Sequence, residues 1–422
     1  MRDIIVTSIV LIGCLYTLRR PYIGILLWSW LSYMNPHRLT YGFAFSMPFA
    51  QITALTLMLS MLVSKEVRKP PLNTIIFIWF SFVLFMGVST LFAFFFEDAW
   101  AQYIKVIKIQ LVVFLTLMLI TDLDKLNQLL SVIVLSIGYY SVKGGVFTVL
   151  TGGGYRVWGP AGSFIEGNNE LAVAALMIIP IMVYLHKIYN NKFIKYILIF
   201  SIVSSFIGAI GTQSRGALVA FGAVLVFFWL KSDKKIIYGL LFSVAVALLF
   251  MFMPESWQER MNTINTYESD ASAMGRINAW EYAFNVANNH LLGLGFESWS
   301  PITFAMYAPN PNDVHAAHSI YFSVLADHGW IGLLMYLSIF YFSWKKLKEL
   351  IRNTDGLSEY EAVNFLARML QVTLIGYFVG GAFLSLSYFD LPWHIVAFIQ
   401  IISKIRNTNE SIKSNTTVPV QV

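Results

Sequence analysis

One cysteine in 422 residues, Cys14, rules out an intrachain disulfide, a cysteine-built metal site and a paired redox motif. It sits in an apolar run, as a packing or lipid-facing residue would. Charge is scarce as well. Asp, Glu, Lys and Arg make up 12% of the chain, against about 25% in soluble domains. The chain has neither the glycine-rich Walker loop of nucleotide hydrolases nor a Gly-x-Ser-x-Gly nucleophile elbow. No internal repeat with paired broken helices is visible, which argues against a secondary transporter. The first apolar run, 4–18, ends at Leu18-Arg19-Arg20 without a small-x-small cleavage site, so no cleavable leader is expected.

What the chain does have is apolar length. Hydrophobic residues reach 57%, and many fall in runs of about 17–25, long enough to cross a bilayer as a helix. The runs are 45–63, 72–95, 104–120, 126–150, 171–185, 196–210, 217–230, 237–253, 320–344, 365–385 and 391–402, after two short ones at 4–18 and 22–34. They predict an all-α polytopic membrane protein with about twelve or thirteen spans. The basic residues collect in short turns at Lys65, Lys187, Lys231 and Lys345 and in the tail. That is the pattern of cytoplasmic anchors, and it gives no reason to expect a nucleic-acid partner. The turns at Glu97, Gly152, Gly211, Pro254 and Leu386 alternate with them. The one long polar segment, 254–318, therefore falls on the far side of the membrane. The chain divides into an N-terminal membrane region (1–150), a membrane domain that includes this loop (151–403) and a polar tail (404–422) expected to be disordered.

Candidate chemistry gathers at that far side. Arg215 stands at a helix start among Gly211, Ser214 and Gly216. Its planar fork suits a phosphate or pyrophosphate, and the alternative is an arginine snorkelling to head groups. Arg276 opens an amphipathic stretch whose apolar face reads Ile277, Trp280, Phe284 and Ala287, with Asn278, Glu281 and Asn285 opposite. It is either a second phosphate ligand or a solvated residue. His318, with Ser319 beside it, stands where loop becomes helix. The positive end of a helix dipole disfavours an imidazolium there, so a neutral, proton-accepting ring suits the position. A structural histidine is the alternative. Asp313 could orient His318 or His315. By composition the three could clasp a metal, but the cluster is weak and no metal is expected. Arg156 lies on the same side. Lys105 and Lys108 are three apart inside an apolar run, so they either line a cavity for an anionic head group or snorkel. The other histidines, His328 and His394 among them, read as interface or loop residues. The glycine-rich loop 152–169 reads as a shaped polar re-entrance.

Several motifs resemble the O-antigen ligase and polymerase superfamily. They are His318-Ser319, nine residues, Gly329, two residues, Gly332; Gln213-Ser214-Arg215-Gly216-Ala217; Arg276, Trp280 and Ala283 followed by Gly293-Leu294-Gly295-Phe296; and Asn169-Glu170-Leu171-Ala172. Leu333-Leu334 and Leu291-Leu292 depart from that family's pattern. Arg19-Arg20-Pro21-Tyr22-Ile23-Gly24 and Ser32-Tyr33-Met34-Asn35-Pro36-His37-Arg38-Leu39 resemble the O-glycosylation ligases associated with exosortase A systems. The resemblance implies a GT-C-like glycosyltransferase of the bacterial inner membrane with its site facing the periplasm. Its donor would be a glycan on undecaprenyl pyrophosphate, and its acceptor a glycolipid or a Ser/Thr-rich surface protein. Arg215 and Arg276 would hold the pyrophosphate, with Asn169 and Ser319 at the substrate. His318 would be the base, and no cofactor would be required. A polymerase and a flippase of lipid-linked sugars are the competing readings.

Overall fold

The computed structural model describes residues 1–67, 69–231 and 271–416, with isolated positions at 236, 239, 240, 243 and 255. The span expected over 237–253, most of the loop before residue 271, and Arg68, Lys234 and Lys235 lie outside the described residues. Among those described, every regular element is helical. In chain order these are α1 (Arg2–Arg19), α2 (Tyr22–Met34), α3 (Phe49–Val63), α4 (Thr74–Leu91), α5 (Phe96–Leu119), α6 (Leu123–Leu150), α7 (Asn168–Ile188), α8 (Lys192–Gly211) and α9 (Arg215–Lys231). They continue as α10 (Ala271–Asn289), α11 (Pro301–Tyr307), α12 (Ile320–Thr354), α13 (Glu361–Gly381) and α14 (Asp390–Thr416). Seven helices among the described residues, α4 to α8 with α12 and α13, are long and apolar enough to cross a membrane. The apolar helices α2, α3 and α9 are shorter. The fold is that of an all-α polytopic membrane protein.

Several boundaries move from where the sequence placed them. Glu97 and Asp98, expected in a turn, form the first turn of α5, where carboxylates face the positive end of the helix dipole. Asp122 caps α6 by accepting from the Lys125 N–H, so that helix starts three residues before the apolar run. The final helix continues past Lys404 to Thr416, so the tail begins as helix and not as disordered chain. Cys14 is buried, with its Sγ 3.9 Å from Thr53 Oγ1.

The main core is a continuous apolar cluster that joins residues of the N-terminal region, such as Trp79 and Ile133, to Met177 and Trp393, with smaller clusters beside it. α7 is its central post. Most of that helix is buried, whereas most of α8 is not, which leaves α8 on the periphery. α6 and α8 approach so closely that a Cβ on Gly145 would lie 1.9 Å from the Ser204 carbonyl oxygen. Only glycine permits that contact. The basic turns gather at one end of the bundle. There Lys345, Lys346 and Lys404 share a groove with Asn73, and Lys187 pairs with Glu361 at 2.7 Å. The opposite end carries the polar loops.

Candidate active site

The site is assembled from the starts of α7, α9 and α12, the second turn of α10 and the loop between α11 and α12. Arg215 is the first residue of α9. Ser214 before it caps that helix, its Oγ accepting from the Ala217 N–H at 3.1 Å. Gln213 before that takes a left-handed backbone (φ 56°) and donates from Nε2 to the Gly153 carbonyl at 3.0 Å. Asn168, the first residue of α7, donates to the Thr212 carbonyl at 2.8 Å. These bonds draw the start of α7, the glycine-rich loop and Arg215 together. Asn169 and Arg215 are half-buried, and Arg156 is exposed on the loop.

Arg276 lies in the second turn of α10, not at its opening as expected. The face predicted to pack down is also rotated. Phe284 is 47% exposed and meets Trp330 edge-on at 5.6 Å, whereas Ala279, Tyr282, Ala283 and Val286 are buried. Tyr282 stacks on Phe304 at 4.4 Å, so the loop has a small core of its own and α10 turns toward it. Asn278, expected on the polar side, is buried. Its Nδ2 donates to the carbonyls of Asn310 and Asp313, both at 2.9 Å, and its Oδ1 accepts the Asn310 N–H at 2.8 Å. Trp280 donates to the Ala317 carbonyl at 2.8 Å and stacks on Phe322. The segment that leads into His318 is therefore stapled along α10.

His318 is thereby held half-buried with φ 43°. A left-handed backbone outside glycine costs on the order of 1–3 kcal/mol and is retained where the surroundings enforce it. Burial, then the Arg276 charge, then His315 hold its imidazole below the ordinary histidine range. A neutral ring is the form that accepts a proton. Its Nδ1 and the Oγ of fully buried Ser319 are enclosed without a hydrogen-bond partner. Such groups are rare in folded proteins and mark places where a ligand or a water completes the bonding. Asp313 orients His315 at 2.8 Å and not His318, and the His315 ring lies against Gly275, beside Arg276. Among the described residues no group of three His, Cys, Asp or Glu is placed to hold a metal.

Glu170 is the residue that sequence reasoning passed over. It stands in the first turn of α7, within electrostatic reach of Arg276. In the sequence it reads as an ordinary acidic first-turn residue, and only packing sets it against the arginine. Phe383 lies against Gly216 beside Arg215, and Ile320 against Gly381. The α13–α14 loop thus bridges the Arg215 and His318 sides. Lys105 lies elsewhere, in a separate cavity, and Lys108 is exposed on α5 without lining it.

The spacing from His318 to Gly329 and Gly332 also has a physical account. α12 breaks at Gly329, whose φ of 65° leaves carbonyls of the first half without helical partners. The Gly293-Leu294-Gly295 turn fills the break. Leu294 N–H donates to the Ala326 carbonyl and Gly295 N–H to that of Asp327, each at 3.0 Å. The glycine turn of the loop and the helix behind His318 are thus one hydrogen-bonded unit. His328 and His394, expected at interfaces or in loops, are fully buried; His328 bonds Ser89 Oγ at 2.6 Å and His394 bonds the Tyr33 hydroxyl at 2.7 Å.

Fold and site together describe a helical membrane protein with arginines, a neutral histidine and a carboxylate at one end of its bundle. Residues 199–337, which hold Arg215, Arg276 and His318, match the family described as O-Antigen ligase. Residues 1–190 match a family of unknown function, DUF5935. No curated protein matches the chain. The first match supports the O-antigen ligase superfamily, and with it a membrane glycosyltransferase of ligase or polymerase type acting on lipid-linked glycans.

Proposed function

We propose that the protein transfers a glycan en bloc from undecaprenyl pyrophosphate to an acceptor hydroxyl at the periplasmic face of a bacterial inner membrane, as an O-glycosylation ligase of the exosortase-associated kind. The observation that carries this reading is the neutral, half-buried His318 beside Arg276. The acceptor oxygen attacks the anomeric carbon while the bond from that carbon to the pyrophosphate oxygen breaks. The hydroxyl proton passes to the His318 imidazole, and undecaprenyl pyrophosphate leaves. Arg215 and Arg276 stabilise the charge that develops on the leaving group, which fixed cations do at no reorganisation cost. Attack in line inverts the anomeric configuration. No step calls for a metal or a nucleotide, and Asn169 and Ser319 border the path of the substrate.

A deletion strain complemented with wild type, Arg215→Ala, Arg276→Ala or His318→Ala at matched membrane levels tests the proposal. The expected result is accumulation of complete, outward-facing lipid-linked glycan with loss of the attached product. The missing product then names the acceptor. Donor retained on the inner leaflet would make the protein a flippase. Single repeats with collapsed chain length would make it a polymerase.

A further inference from the structure

The polar end of the bundle holds a second cavity, of about 190 Å³, that the proposed chemistry does not use. Ser32, Asn35 and His37 follow or close α2, Lys105 comes from α5, Phe164 from the glycine-rich loop and Asp390 from the start of α14. All but Asp390 fall in the segment 1–190 that matches the family of unknown function. Lys105 Nζ stands 4.3 Å from the centroid of the Phe164 ring. Ser32 Oγ donates to Asp390 Oδ2. Phe389 presents its ring to Tyr33 at 6.0 Å and to Phe164 at 6.5 Å. Asn35 has a left-handed backbone (φ 48°).

The loop over this cavity is shaped by its own bonds. Gly159 N–H donates to the Glu166 carbonyl at 2.9 Å, and Gly162 N–H to the Glu166 carboxylate at 2.8 Å. Ile165 N–H donates to Ser163 Oγ at 3.2 Å. The cavity lies near His318. Ser387, three residues before Asp390, donates to the carbonyl of Ile320, two residues after His318. That path is roughly 25 Å at its longest.

The mixture of groups selects a ligand class. The volume is below the ~300–1,000 Å³ of sites for drug-sized ligands, so it takes one ring-sized group. Lys105 stands nine residues into α5, within an apolar run, where a cation is a functional suspect. Asp390 is buried within electrostatic reach of Lys105, so a bound anion would meet a carboxyl beside the ammonium. A carboxylate, an ammonium, an amide and a hydroxyl around aromatic faces match a group with many hydroxyls and an apolar C–H face. We propose that this cavity is a saccharide subsite that holds one neutral sugar ring, with Lys105, Asn35 and Asp390 on its hydroxyls and Phe164 against its apolar face. That this sugar belongs to the glycan undergoing transfer rests on the transferase reading of His318.

Saturation-transfer NMR on the full chain in lipid nanodiscs tests this without any transfer reaction. The probes are the methyl glycosides of glucose, galactose, mannose and N-acetylglucosamine, with glucuronate and inorganic phosphate as anions. At least one neutral glycoside should receive saturation. Lys105→Met and Asn35→Ala should each weaken it about fivefold or more, as the loss of one polar contact does, and His318→Ala should leave it unchanged. Variants are compared at equal melting temperature, with Asp390→Asn as the conservative replacement if either misfolds. Binding of the anions alone, no neutral sugar bound, or a signal indifferent to all three cavity variants would overturn the proposal. A signal lost in His318→Ala would place the sugar in the other site and overturn it too. Sugar binding without transferase activity would leave the subsite standing and sink the transferase reading; transfer without sugar binding would do the reverse.

Discussion

Two histidines ten residues apart, His318 and His328, carry the same ring into opposite settings. His318 is half-buried, left-handed in backbone and close to Arg276. His328 is fully buried, bonded to Ser89 and ringed by Phe82, Phe296 and Tyr388 at 4.7–6.0 Å. One ring has the setting that the proposed proton transfer asks for, while the other fills a core. The difference arises at the start of α12. His318 precedes the first turn, and His328 sits at the break where the glycine turn plugs the helix. The surroundings, not the side chain, set the two rings apart.

Substitution at either ring separates the two settings. The largest expected effect is on His318→Ala. Loss of a general base lowers transfer about 10²–10⁴-fold, with melting in detergent unchanged; a variant that retains near-wild-type rates ends the general-base assignment. His328→Ala should do the reverse. Opening a cavity among aromatic rings and leaving Ser89 without its partner costs about 3 kcal/mol, read as a lower unfolding midpoint, while each folded molecule still transfers glycan. Wild-type stability in that variant would show the ring is not structural.

Smaller effects sharpen the His318 side. The proposed reaction needs the neutral ring, and the imidazole is held low by burial first and then by Arg276 and His315. The acidic limb of the rate profile therefore lies below the ordinary histidine range. Removing a neighbouring positive charge makes the imidazolium easier to form, so Arg276→Gln moves that limb to higher pH. His315→Ala moves it the same way by less. A limb that stays in place in Arg276→Gln, followed as the pH dependence of kcat/KM, means that another group titrates. Trp280→Phe is the mildest. It keeps the stack on Phe322 and loses the bond to the Ala317 carbonyl, worth about 0.5–1.5 kcal/mol. A small drop in kcat with KM unchanged is expected as His318 loosens.

Much of this protein was legible before folding was considered. Run length and charge scarcity are properties of the chain, and a bilayer leaves only helices as the answer for such runs. The alternation of basic and neutral turns predicted which loops share an end. Arg215, Arg276 and His318 stood out because cations and histidines beside apolar runs are expensive to keep there. The apolar face of α10 was misread because periodicity reports which residues are apolar, not which neighbour they meet. Phe284 and Tyr282 are both aromatic, and only the loop's own core decided between them.

What tertiary structure alone decided is proximity across distant segments. Glu170 and Arg276 lie more than a hundred positions apart in the sequence, and packing of α7 beneath the loop sets them within electrostatic reach. Ser32 and Asp390 come from opposite ends of the chain and share a hydrogen bond. The staple of Asn278 on the carbonyls of Asn310 and Asp313 fixes where His318 points. Local sequence sets helix formation because its bonds and apolar burial recur within a few residues. A site depends on side chains that meet only after the helices have packed, and that arrangement is a property of the whole core.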